Sequence, residues 1–298
     1  MFIADSHCDT LTTYPQDPFQ HEGSSWNIDK FYSAGGRLQV MAVCTYEDFS
    51  GDSALRNGVR HIGNFYRNMP NLANVLLNAK DYDENKVNII LSLEGASPLI
   101  NDIENLFAFH KLGVRLITLT WNHRNYLADG IYNSGGLTCF GREVVKEMER
   151  LNMVVDVSHL NDEGFEDLIN IAEKPFVASH SNCRAVYDHP RNLTDDQILE
   201  IKSRNGFVGL NFYNVLLGRN GNDPVNHFLH HVEHLLELGM DSHMGFGSDF
   251  DGADDMVFSD PYAYHTIEKL LFNDLLLDKH IIEKLLYKNF RNYIFRMI

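Results

Sequence analysis

Eight short apolar runs are spaced along this 298-residue chain, helical stretches separate them, and chemistry-capable polar residues terminate runs from the first to the last. The runs fall at about residues 2–4, 37–44, 87–95, 114–121, 153–159, 175–180, 206–213 and 243–252. A loop is expected over residues 14–27 and a short helix or turn over 30–36. Longer helices are expected over 53–69, 103–112 and 141–151, from Asn161 onward, and over 263–298. Strands alternating with helices predict a parallel sheet. Two parallel architectures compete, and the polar endings choose between them. An open sheet scatters strand ends along an edge, whereas a closed barrel rings all of them around one mouth. The expectation is an α/β chain folded as a single (β/α)8 TIM-type barrel, one domain over residues 1–298, with a metal site at the C-terminal mouth of the strands.

Composition narrows the partners. Forty-one acidic against 25 basic residues give a formal charge of −16, which repels phosphate backbones and argues against nucleic acid. Cys8, Cys44, Cys139 and Cys183 are scattered, without a C-x-x-C pair, as expected of reduced thiols in a cytosol. No apolar run approaches a membrane span and no signal-peptide pattern opens the chain, so the expectation is a cytoplasmic protein with no membrane partner.

The first run leads into Asp5-Ser6-His7-Cys8-Asp9. Residues two apart on a strand share a side, so the His7 imidazole and the Asp9 carboxylate converge, a nitrogen–oxygen pair suited to zinc. Cys8 points the other way and is expected to pack. Glu94 closes the third run, and two readings stay open for it: a salt bridge to Arg115, or a carboxylate bridging metals. His159 and His180 end the fifth and sixth runs in matching Val-Ser-His and Ala-Ser-His contexts. With His7, Asp9 and Glu94 at the same mouth they offer ligands for two metals, which can share a water, lower its pKa and polarise a carbonyl. After the eighth run, Ser248-Asp249-Phe250-Asp251-Gly252 places two carboxylates on one side of an extended segment. Either can relay a proton, and both suit a turn.

These motifs together resemble the membrane (renal) dipeptidase family, metal-dependent dipeptidases of the amidohydrolase-type barrel. The family pattern is His-x-Asp, Glu-Gly, Ser-His twice and Asp-Phe-Asp-Gly, and this chain carries each in order, nearly end to end. The resemblance implies two divalent metal ions, zinc foremost: one on His7 and Asp9, one on His159 and His180, and Glu94 on both. It implies Asp249 as the proton-transfer residue. It assigns the substrate carboxylate to Arg191, within Arg191-Asn192-Leu193-Thr194-Asp195-Asp196, and a substrate contact to Tyr213. On residue type alone Arg191 would instead pair with Asp195 or Asp196 at the surface. The implied activity is hydrolysis of dipeptides, L-D dipeptides included, through water activated by the metal pair, in a chain that pairs into a homodimer.

One departure stands out. Relatives place a carbonyl-polarising histidine in a Leu-Thr-His pattern after the fourth strand, where this chain reads Leu119-Thr120-Trp121-Asn122-His123. Trp121 takes that position, and His123 or Asn122 is left to reach the substrate. Two rival activities follow: another amide or lactone hydrolase on the same barrel, or a metal-loaded, non-catalytic binding protein. A second histidine cluster, His227, His230, His231 and His234, falls at helical spacing and is expected to be a polar, solvated helix face.

Overall fold

The structure is a computed structural model describing residues 1–45, 50–218 and 223–298. Its strands are β1 (Ile3–Cys8), β2 (Gly36–Cys44), β3 (Ala73–Val75), β4 (Val87–Glu94), β5 (Val114–Thr118), β6 (Val154–Asp156), β7 (Val177–Ala178), β8 (Phe207–Leu210) and β9 (Met244–Phe246). All paired strands run parallel. The ring passes from β2 through β1, β9, β8, β7, β6 and β5 to β4, and β2–β4 pairing closes it. The expected eight-stranded parallel barrel is therefore present. Strand β3, which the sequence pattern did not reveal, pairs among the described residues only with β4 and lies outside the ring.

Alternation sorts the side chains. Along β4, Ile89, Leu91 and Leu93 pack outward under the helices, while Ile90 faces the barrel interior with Leu38, Val40, Leu116 and Val154. The same two-residue period carries Glu94 inward at the mouth. The opposite end is sealed by Tyr287, Phe290, Tyr293 and Ile294, which pack on Ala4, Leu38 and Ile90. Burying a phenylalanine there contributes about 2–3 kcal/mol. The expected helix over 263–298 is broken into Ala263–Asn273, Lys279–Glu283, a π-helical turn Lys284–Lys288 and Asn289–Met297. Leu276, at φ +54°, marks the first interruption.

Strands β6, β7 and β9 are shorter than the apolar runs suggested, because buried carboxylates take backbone donors at their ends. Asp156 Oδ1 accepts the amides of Ser158 (3.0 Å) and Ser179 (2.8 Å), and Asp5 Oδ1 accepts that of Ser248 (3.0 Å). His159 (φ +70°) and Asp249 (φ +66°) then turn through the left-handed region, so both leave the strand ends from loops rather than from strands. Among the described residues no helix is long and apolar enough to cross a membrane.

Candidate metal centre and active site

His7 reaches the mouth through an irregularity in β1. Asp5 pairs with Gln39 and Cys8 with Met41, so three steps on β1 oppose two on β2. This extra residue is a bulge. Ser6 faces the axis, donating to the Ser179 and Phe246 carbonyls at 2.6 and 3.0 Å. The bulge turns His7 inward as well, returns Cys8 to the outer layer, and leaves Asp9 inward. The predicted convergence of His7 and Asp9 is present, with His7 Nε2 3.3 Å from Asp9 Oδ2.

Glu94 sits between two donor sets. Its Oε1 lies 2.8 Å from His159 Nε2 and 3.2 Å from His180 Nε2, and those two nitrogens are 3.0 Å apart. Its Oε2 faces the other set, 3.7 Å from His7 Nε2, which is itself 3.9 Å from Asp249 Oδ1. Ligands of a tetrahedral zinc stand about 3.3 Å apart, close to the spacing among His159, His180 and Glu94 and between His7 and Asp9. Arg115 plays no part here; it donates to the carbonyls of Leu77, His110 and Val114.

The outer nitrogens of two histidines are fixed by acceptors. His159 Nδ1–H donates to Asn122 Oδ1 at 2.8 Å. His180 Nδ1–H donates to Ser179 Oγ at 2.8 Å, and the Ser179 hydroxyl donates to Asp156 Oδ2 at 2.6 Å. Both rings are thereby held in the tautomer whose Nε2 lone pair points into the site, the orientation that metal-binding histidines take from their outer partners. Sequence reasoning gave Asp156 and Ser179 no role. Their signal was the fully apolar setting of Asp156, a buried carboxylate that needs several donors; Thr118 Oγ supplies another at 2.7 Å.

Electrostatics point the same way. Burial disfavours charge on His7, yet the Glu94 and Asp9 carboxylates hold its imidazole well above the usual range. Burial and the neighbouring Glu94 push Asp9 well up, whereas Glu94, despite its burial, is held well below the carboxylate range chiefly by the His7 charge. Burial, then the Arg191 charge, brings His159 down to about 3. Asp9 Oδ1 and His7 Nδ1 are buried without a hydrogen-bond partner. A buried cluster of carboxylates and imidazoles with ligand atoms left unpartnered is what a divalent cation stabilises. The residues fit two such ions.

Above the cluster opens a cavity of about 360 Å³. Asp9, Glu94, Trp121, His159, Arg191, Tyr213 and Asp249 line it, while His7 and His180 lie beneath, 0 % and 1 % exposed. Arg191 is 7 % exposed, its Nη2 3.4 Å from the His180 carbonyl, and not in the surface pair that residue type alone suggested; Asp195 pairs with His234 at 2.7 Å. Burial pulls the Arg191 guanidinium down, opposed by Glu94 and Asp249. Trp121 stands beside His159, ring centroids 6.0 Å apart. His123 is exposed and off the cavity wall, with its ring 5.1 Å from that of Tyr132, which is on the wall.

The two aspartates left open by the sequence separate here. Asn211 Nδ2 donates to Asp249 Oδ2 at 2.9 Å, leaving Oδ1 toward the cluster. Asp251 faces away and accepts from Thr10 Oγ (2.5 Å) and the amides of Ser25 (2.6 Å) and Trp26 (3.2 Å). Gly252 follows because a Cβ there would collide with the Asp9 and Asp249 carboxylates. The second histidine cluster departs from expectation: His231 is fully buried, accepts from the Cys183 amide at 3.1 Å and donates to the Leu217 carbonyl at 3.2 Å.

Residues 1–295 match the family model described as membrane dipeptidase (peptidase family M19). An uncharacterised Klebsiella pneumoniae protein from the region 5′ of pqqA is 35 % identical over 208 residues, 64 % of this chain and 77 % of that protein. Two fission-yeast (Schizosaccharomyces pombe) relatives, uncharacterised dipeptidases, are matched over only 44 % and 42 % of their length. The crystal structure of a metallopeptidase from Rhodobacter sphaeroides, liganded with a phosphinate mimic of L-Ala-D-Ala, superposes with TM-score 0.92 at 25 % identity, covering 100 % of this chain and 99 % of that one. A second crystal structure, of the M19 metallopeptidase dipeptidase AC, gives TM-score 0.92 at 26 % identity, covering 100 % and 98 %. Motif order, barrel and donor sets thus meet in one assignment: the chain belongs to the membrane dipeptidase family, peptidase family M19, the metal-dependent dipeptidases of the amidohydrolase-type barrel.

Proposed function

We propose that this chain hydrolyses the peptide bond of dipeptides, L-D dipeptides included, with two zinc ions held at the barrel mouth. The observation that carries the reading is the division of Glu94, one oxygen toward His159 and His180 and the other toward His7. His7 and Asp9 would hold one ion, His159 and His180 the other, and Glu94 would serve both. Bound there, the ions supply Lewis acidity, lowering the pKa of a water and polarising the scissile carbonyl.

The chain's own groups supply the rest. Asp249, half-buried and anchored by Asn211, accepts the nucleophile's proton on Oδ1 and passes it to the leaving amine. The buried Arg191 fork receives the substrate carboxylate, and desolvation at that wall strengthens the pairing. Tyr213 and Trp121 shape the cavity around the peptide, and His123 stands against Tyr132 of its wall. The acceptance of an L-D substrate is supported by the phosphinate ligand of the Rhodobacter sphaeroides structure. A small substrate rather than nucleic acid is supported by the −16 charge, and a reducing cytosol by four cysteines that form no disulfide. The resemblance adds a homodimer of single-domain chains.

Metal analysis of the purified chain, paired with release of free amino acids from a panel of L-L and L-D dipeptides, tests the reading. Two metals per chain, with turnover abolished by chelation and restored by zinc, support it. Two bound metals with no dipeptide turnover, or cleavage confined to cyclic amides or lactones, would overturn it.

A further inference from the structure

We propose that Cys44 donates its sulfur to the ion on the His7–Asp9 side, making that position a mixed nitrogen, oxygen and sulfur site. This inference rests on the two-metal reading above. Leu38 and Val40 of β2 face the barrel interior, and the two-residue period carries Ala42 and then Cys44 to the same side. Cys44 pairs in register with Glu94, so the thiol sits in the layer of the dividing carboxylate. Its Sγ and one oxygen each of Asp9 and Glu94 lie within 4.8 Å of one another, and Cys44, 1 % exposed, borders the cavity.

A second observation points to a ligand at the same place. Asp9, 3 % exposed and in the same cluster as that sulfur, keeps Oδ1 buried without any hydrogen-bond partner. Zinc takes sulfur at about 2.3 Å and oxygen at about 2.0–2.2 Å, so adjacent sulfur and oxygen ligands stand about 3.5 Å apart, inside the 4.8 Å limit that these atoms keep. The other cysteines are placed differently: Cys8 packs in the outer core, Cys183 Sγ lies against the His231 carbonyl, and Cys139 is exposed. A sulfur ligand favours zinc over manganese or magnesium, which prefer oxygen. Metal choice would then be set partly by β2, a strand that carries none of the family's motif residues.

The test is X-ray absorption at the zinc edge and near-ultraviolet absorption of the cobalt-loaded chain. Expected are a sulfur shell at about 2.3 Å and a sulfur-to-cobalt charge-transfer band, both lost in Cys44→Ser and Cys44→Ala. Zinc loading of the full chain should also block alkylation of Cys44 by iodoacetamide, which modifies it once metal is removed. Two bound metals with only nitrogen and oxygen neighbours, or a band that survives Cys44→Ser, would overturn the proposal and leave the two-metal reading standing. Failure to take up any metal would overturn both.

Discussion

Asn122 Oδ1 accepts the His159 Nδ1–H at 2.8 Å, and this bond fixes which nitrogen of that imidazole faces Glu94. In Asn122→Ala the ring loses its tautomer preference and rotational anchor. Affinity for the ion on the His159–His180 side should fall about 10–100-fold, the usual cost of deleting an outer partner of a metal-binding histidine. Titration against a zinc chelator would show one ion weakened and the other retained. Unchanged affinity for both ions would remove Asn122 from the metal site.

Asp249 and Asp251 lie two residues apart and should fail differently. Asp249→Asn keeps the Asn211 contact geometry but removes the proton acceptor, so kcat should fall about 10²–10⁴-fold with two metals still bound. Asp251→Ala strips acceptors from Thr10 and the amides of Ser25 and Trp26, at a cost of about 2 kcal/mol in stability. Urea unfolding and steady-state kinetics on both variants separate the roles. A stability loss in Asp249→Asn, or a kcat loss alone in Asp251→Ala, would reverse the assignment.

Arg191 is buried at the cavity wall with its fork near the His180 carbonyl. Arg191→Lys keeps the charge and loses the two-pronged geometry, so KM for dipeptides should rise about tenfold with kcat less affected. Dipeptide amides, which lack the carboxylate, should be cleaved equally by both forms. A similar KM increase for the amides would show that the residue shapes the wall instead of binding the carboxylate.

The barrel was legible because apolar runs alternate with helical stretches and polar residues end runs from the first to the last. The clustering of His7, Asp9, Glu94, His159 and His180 at the mouth was legible because polar side chains after apolar runs have few physical uses. Other features left no such imprint. The bulge that turns His7 inward is a backbone register shift, and strand β3 is too short to show a period. Asp156 is hidden inside an apolar run, and its work on Ser179 and His180 depends on a neighbouring strand far away in the chain. His231 reads as one of four similar histidines until the helix Pro224–Glu237 is docked, when it alone turns into the core.

That burial gives His231 a pH signature independent of metal. Its Nδ1 accepts the Cys183 amide and its Nε2–H donates to the Leu217 carbonyl, an arrangement that only the neutral ring satisfies. Burial first, then the neighbouring His234, His227 and His230, bring its pKa from the ordinary 6.5 to about 4. With the folded value depressed, the unfolded chain binds a proton below about pH 6.5 that the folded chain refuses until about pH 4, so stability falls as pH drops through that window. A shift of this size corresponds to about 3 kcal/mol. His231→Gln offers the same acceptor and donor without titrating, so its stability should hold between pH 6.5 and 5 while the parent's declines. Urea midpoints for both chains, each stripped of metal so that the mouth histidines contribute equally, measure the difference. Parallel pH profiles would place the acid sensitivity elsewhere in the barrel.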